Sequence, residues 1–168
     1  HKSHLSAVIE DVPESAQYNQ FTIKSTLAFD TDQNLTVKFS PEGSGQYFAE
    51  YGDDFTVPIE YSNDGGATWQ TMNLVGTYMR SDYDKPLPTF GFTLGANSKE
   101  VEVRIPIFDD YYDEAGFAYT GNDANYAGQG VEKIDMLIEG ENFYEEQLQP
   151  GIIDNDPTDP GLPIVEVD

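Results

Sequence analysis

The stretch Lys99-Glu-Val-Glu-Val-Arg-Ile-Pro-Ile107 decides the fold. Val101, Val103, Ile105 and Ile107 fall on one side of an extended chain, and Glu100, Glu102 and Arg104 on the other. Alternation sustained over this length marks a strand with one face on a core and one in water. Outward from it the same period recurs. Phe21, Ile23 and Ser25 alternate with Thr22 and Lys24; Leu35, Val37 and Phe39 alternate with Thr36 and Lys38; Ile134, Met136 and Ile138 repeat the pattern. Residues Phe55 to Tyr61 and Thr68 to Val75 flank Ser62-Asn-Asp-Gly-Gly66, which predicts a hairpin. Leu5 to Val12 and Pro150 to Ile153 read as the first and last strands. No apolar stripe follows the 3.6-residue period of a helix. Roughly eight or nine short strands with Gly- and Asn-rich turns predict an all-β fold, an antiparallel, Ig-like β-sandwich.

The chain of 168 residues is long enough for one domain with a real core. It carries 31 Asp and Glu against 8 Lys and Arg, a net charge of −23. Such a field repels phosphates, which excludes nucleic acids and anionic membrane surfaces as partners. With 11 Tyr and 10 Phe it is nevertheless no disordered acidic tail, because those rings supply core. Cysteine is absent, so disulfides, zinc-thiolate sites and thiol nucleophiles are excluded. Both histidines, His1 and His4, stand at the N-terminus, which argues against imidazole catalysis and His-ligated metals. No apolar run approaches the ~18 residues of a membrane span. No leader segment is visible, and the reading is of a piece from a longer chain.

Two connections are long: Gly76 to about Pro86, and Asp109 to Gly130. Long irregular segments in a compact domain are usually functional. The domain is expected over residues 5–156. Residues 157–168 read as a stiff linker, Pro157-Thr-Asp-Pro-Gly-Leu-Pro163, and the start of a following domain.

The acids gather at strand ends. Asp109, Asp110, Asp113 and Glu114 follow the best strand; Asp154, Asn155 and Asp156 follow the last; Glu14 follows the first; Asp53 and Asp54 precede another. A sandwich brings strand ends together at a pole, where so many like charges need cations. Calcium takes six to eight hard oxygen ligands in flexible geometry and fits carboxylates from several loops. A lone Asp on so acidic a chain reads only as solvated charge. Asp30-Thr-Asp-Gln-Asn34 has the opening spacing of an EF-hand loop but not its Gly and Glu, and reads as an exposed turn.

The order of these motifs resembles a family. Glu14 after a strand, Tyr51-Gly-Asp-Asp-Phe55, Pro106-Ile-Phe-Asp-Asp110 with Asp113-Glu114, and Ile152-Ile-Asp-Asn-Asp-Pro157 together look like a Calx-β domain of the kind repeated in bacterial RTX adhesins. The likeness covers about residues 5–156. It implies a calcium-binding β-sandwich with Glu14, Asp54, Asp109, Asp110, Glu114, Asp154 and Asp156 as ligands, and Asp113 joins them as a candidate. Pro13-Glu14-Ser15 stands where the family has Glu-Gly, which puts Glu14 in most doubt.

The two long connections go beyond a spacer repeat and give the sandwich long decorated loops. Both are rich in Tyr, Asn, Asp and Gly, a composition suited to adaptable binding surfaces. The chain is similar to the adhesin modules that capture a partner's C-terminal carboxylate through calcium. That resemblance implies an extracellular, monomeric module within a longer bacterial surface protein. It would bind a peptide or protein C-terminus on a host or neighbouring cell in adhesion or biofilm attachment. Tyr119, Asn122, Asp123, Tyr126 and Gln129 are the expected ligand-binding residues, with the tyrosines as walls and the amides as donors and acceptors. The alternatives are a calcium-stiffened spacer and, less favoured, a glycan-binding module.

Two features point elsewhere only on the surface. Ser62-Asn-Asp64-Gly-Gly66-Ala-Thr68-Trp69 matches the sialidase Asp-box, which is a structural hairpin remote from chemistry. Paired carboxylates suit a glycosidase, but among 31 acids some pair always falls at the right spacing. No enzyme is expected.

Overall fold

The computed structural model describes residues 1–39, 48–49, 51–52, 54–81, 85–108, 117–118 and 130–154. The fold is an all-β sandwich. One layer is built from β1 (Leu5–Ala7), β3 (Tyr18–Ser25), β9 (Glu100–Pro106), β5 (Glu60–Ser62) and β6 (Gln70–Thr71), hydrogen-bonded in that order. The facing layer is a five-stranded sheet of β13 (Phe143–Leu148), β12 (Met136–Gly140), β4 (Gln33–Phe39), β8 (Leu87–Leu94) and β7 (Asn73–Tyr78). It is continued by β10 (Phe117–Ala118), β11 (Gly130–Lys133), β14 (Gly151–Ile153) and β2 (Asp11–Pro13). The continuation follows from broken strands. β11 and β12 are one strand interrupted at Ile134 and Asp135, β13 and β14 one interrupted at Gln149 and Pro150, and Ile134 N donates to Pro150 O across the break at 2.8 Å. All pairings between these strands are antiparallel except β14 with β2.

The decisive stretch is β9, which pairs with β3 from Tyr18↔Pro106 to Lys24↔Glu100 and with β5 on its other side. Val101, Val103 and Ile105 are buried as their alternation predicts and meet Phe21 and Ile23 from β3. The opposite layer contributes Leu35, Val37, Phe39, Phe90, Phe92, Met136 and Ile138. Phe39 stands at the centre, with ring centroids 5.2 Å from Phe55 and 5.8 Å from Phe90.

Several elements differ from expectation. The first strand, expected over 5–12, is two strands in different layers: β1 pairs with β3, and β2 crosses to pair with β14. The strand expected over 68–75 also changes layers. β6 pairs with β5, Met72 is 3% exposed where the chain passes through the sandwich, and β7 joins β8. One buried side chain at the crossing breaks the phase that alternation relies on. β8 and β13 are strands beyond those expected. Pro88 and Gly91 mask the alternation of Phe90, Phe92 and Leu94 in β8. In β13 only Phe143 and Leu148 are buried, beside a bulge in β12 between Ile138 and Gly140.

The N-terminus is part of the fold. Ser3 is fully buried, and its Oγ lies 2.6 Å from Ser25 Oγ and accepts from Leu27 N at 3.0 Å. Ser3 N donates to Asn142 O, and the His4 ring stacks on Tyr144 at 4.5 Å. The expected linker and following strand of residues 157–168 lie outside the described residues.

Candidate functional site

The ends of β2, β9 and β14 meet at one pole. The parallel pairing of β2 with β14 sets Pro13 opposite Ile153, so the next residues, Glu14 and Asp154, leave the sheet side by side. Glu14 opens a single 3-10 turn, Glu14–Ala16, that ends at Gln17 with φ 73°. This left-handed conformation is uncommon for a residue with a side chain. Gln17 O then accepts Ile107 N at 3.0 Å, which brings the end of β9 against the turn. Phe108 N donates to Asp54 O at 3.0 Å, and Thr56 N to Pro106 O at 3.1 Å. Backbone hydrogen bonds thus tie Gln17, at the end of the Glu14–Ala16 turn, to Ile107, and Asp54 to Phe108, the residue preceding Asp109.

The burial here is unusual. Glu14 is 3% exposed and Asp154 4% exposed, and carboxylates are almost never so enclosed unless paired or metal-bound. Asp154 N donates to Gly130 O, tying the pole to the start of β11. The donor atoms are carboxylate oxygens, which suits a hard cation such as calcium rather than zinc. Among the described residues, no group of three or more Asp, Glu or His stands close enough to hold a metal. Asp109, Asp110, Asp113, Glu114 and Asp156 lie outside the described residues, as do the expected ligand-binding residues Tyr119, Asn122, Asp123, Tyr126 and Gln129. Asp30 and Asp32 sit in an exposed bend away from this pole, where Asp32 Oδ1 accepts Ala96 N at 2.8 Å.

Other buried polar groups were not singled out by the sequence. Asp135 is fully buried in the break between β11 and β12 and accepts from Gln147 Nε2 at 2.6 Å and Gln149 Nε2 at 3.2 Å. Asn19, also fully buried, donates through Nδ2 to Gly151 O at 2.9 Å and Glu10 O at 3.1 Å, which fastens β3 to the entrances of β14 and β2. Asn19 faces inward in phase with Phe21 and Ile23, and that placement was the available signal.

The Asp-box turn is a self-contained polar structure. Asp64 accepts from Ser62 Oγ at 2.7 Å, Thr68 N at 2.8 Å and Thr68 Oγ1 at 2.5 Å. These bonds, those from Thr68 and Ser62 foremost, hold its pKa down at about 2. Gly65 and Gly66 take φ of 74° and 92° to close the turn. Trp69 covers the outer face of the first layer, with the Arg104 guanidinium 4.1 Å from its ring and 4.9 Å from that of Tyr18. A polar groove of about 470 Å³ runs between this turn and residues 97–100. Its lining is largely committed within the fold: Asn63 bonds Thr93 O and Gly95 N, and Asp64 is saturated as above.

No helix among the described residues is long and apolar enough to cross a membrane. Compared with known proteins, the chain matches no family model and none of the curated proteins.

Proposed function

We propose that the chain is a calcium-dependent ligand-binding module of a large bacterial surface adhesin, and that it captures the C-terminal carboxylate of a peptide or protein on another cell. The observation that carries this reading is the burial of Glu14 and Asp154, which follow the paired ends of β2 and β14, near the end of β9 that leads to Asp109. Two buried carboxylates that follow neighbouring strand ends, with more acids after them in sequence, make a place where a bound cation would offset the charge. Glu14, Asp54 and Asp154, together with Asp109, Asp110, Asp113, Glu114 and Asp156, would hold calcium there. A bound calcium supplies positive charge that can attract a free carboxylate. The role is binding, not catalysis. On so acidic a chain, a cation bridge is the economical way to hold an anionic group.

The motif order of a Calx-β domain and the length of the segment from residue 109 to 129 support the same assignment. The enclosure of Glu14 and Asp154 also suits a spacer whose calcium only stiffens the pole, and the experiment must separate the two. Melting curves with calcium and with EDTA test the metal. Binding of a peptide with a free C-terminus against its amidated twin, both in saturating calcium, tests the ligand. The proposal expects a melting temperature lowered by EDTA and binding of the free acid alone. An unchanged melting curve would remove the calcium, and absence of peptide binding beside a calcium-dependent melt would leave the spacer.

A further inference from the structure

β7 ends its sheet, hydrogen-bonded to β8 on one side and, among the described residues, to no strand on the other. Natural edge strands are usually guarded by charges, proline or a covering element. Among the described residues this one has little of that protection. No Asp, Glu, Lys or Arg occurs from Gly65 to Met79, although the chain carries 31 acids, and β7 contains no proline. Leu74, Val75 and Met79 are 60, 57 and 61% exposed. Only the bulge between Leu74 and Gly76 departs from a regular edge.

The inner side of the strand is firmly held. Tyr78 Oη donates to Phe39 O at 2.7 Å, reaching past β8 to the end of β4. Burial pushes this phenol up to about 12, so it remains a donor at any physiological pH. Val75 packs over Gly91, where a Cβ would come within 3.0 Å of Val75 Cγ1. β7 is therefore a fixed template and not a frayed end.

We infer that β7 is a docking edge for an extended segment of another protein, which adds to the sheet as a further strand. The chemistry of the partner follows from charge. Along β7 it meets an uncharged strip, so the paired residues are themselves uncharged and alternate apolar with small polar side chains. Arg80 and Lys38 border the strip at its Tyr78 end, but beyond them the partner meets a molecule of net charge −23, so its flanks are basic. A second copy of this chain is disfavoured on the same ground, because two such molecules repel. The docking contact is made by the β7 backbone and needs no calcium.

The probe is a synthetic peptide of alternating threonine and valine with two lysines at each end. It is titrated into the calcium-loaded chain by fluorescence anisotropy, with amide exchange followed in parallel. Binding is expected to slow exchange in residues 73–78 and to weaken as salt rises. Leu74→Lys with Thr77→Lys, both at exposed positions, should lower affinity roughly tenfold or more, as should replacing the peptide's lysines by glutamates. If the double variant melts early, the charge-reversed peptide carries the test on the unaltered chain. Absence of binding at millimolar peptide, or protection confined to other residues, would overturn the inference. So would an edge already protected without peptide, with sedimentation then telling a second copy from the chain's own cover.

Discussion

Lys133 Nζ lies 2.7 Å from Asp11 Oδ1, and the two side chains meet over Gly151. Lys133 pairs with Gly151 on one side and Gly151 with Asp11 on the other, so the ion pair spans three strands through the gap left by a missing side chain. A Cβ at Gly151 would overlap Asp11 Oδ1 and stand 2.8 Å from Val131 Cγ1. Gly151→Ala should therefore destabilise by about 1–3 kcal/mol through overpacking, while Asp11→Asn loses only the part-exposed pair, about 0.5–1 kcal/mol. Urea denaturation of both variants checks the order. If Gly151→Ala proves the milder change, the ion pair is not what requires the glycine.

Arg104 is held three ways: its guanidinium faces Trp69 and Tyr18, and its Nε donates to Glu60 Oε1 at 2.8 Å. A planar cation can stack and hydrogen-bond at once, and an ammonium cannot. Arg104→Lys should cost about 1 kcal/mol despite keeping the charge. A double-mutant cycle of Arg104→Ala with Trp69→Phe should give a coupling of about 0.5–1 kcal/mol. Additive losses would mean that Trp69 serves the sheet face without the cation.

The pH dependence of the Asp-box turn follows from Asp64. Its folded pKa of about 2 lies below the ordinary 3.8, so its contribution to stability is present above pH 4. That contribution is lost as pH falls from about 4 through 2, because the proton then binds the unfolded chain first. Carboxyl-carbon NMR should find Asp64 still ionised at pH 3. Thr68→Val removes the largest cause and should move the midpoint up toward 3.8. An Asp64 that titrates at the ordinary value in the unaltered chain would contradict the hydrogen bonding described here.

How much of this was legible from the sequence depended on whether neighbouring residues kept their phase. β9 was readable because each of its core residues lies two positions from the next, and the Asp-box turn because Gly65, Gly66 and Asp64 have local reasons to be there. What alternation misses is a strand that changes layers. β1 and β2 were merged because Leu5, Ala7 and Ile9 hold phase up to the crossing, and Met72 hid the switch from β6 to β7 because one buried side chain looks the same in either layer. Strand ends rich in acid were visible, and their convergence was a consequence expected of any sandwich. The burial of Glu14 and Asp154 was not visible, since it arises from a parallel pairing between residues far apart in sequence. Asp135 carries no local mark either: its partners are Gln147 in β13 and Gln149 in the break after it, and nothing near Asp135 in sequence shows that it is enclosed.

Acids of the pole should differ from acids elsewhere in what they do for calcium. Asp109 and Asp110 follow directly on Phe108, whose backbone is bonded to Asp54. Asp30 and Asp32 lie in an exposed bend on another part of the surface. If calcium belongs at the pole, Asp109→Ala with Asp110→Ala should weaken calcium binding far more than Asp30→Ala with Asp32→Ala, although each pair removes the same two charges. The comparison cancels the general field of the molecule and leaves ligation. Stability should follow the same order. Calcium at 100 times its dissociation constant stabilises the folded state by about 2.7 kcal/mol per site, so the first pair should lose much of its melting-temperature response to calcium and the second almost none. Titration calorimetry gives the affinities and thermal denaturation with and without EDTA the response. Equal losses in the two pairs would mean that calcium is attracted by diffuse charge and not held by the pole, and the burial of Glu14 and Asp154 would then need another explanation.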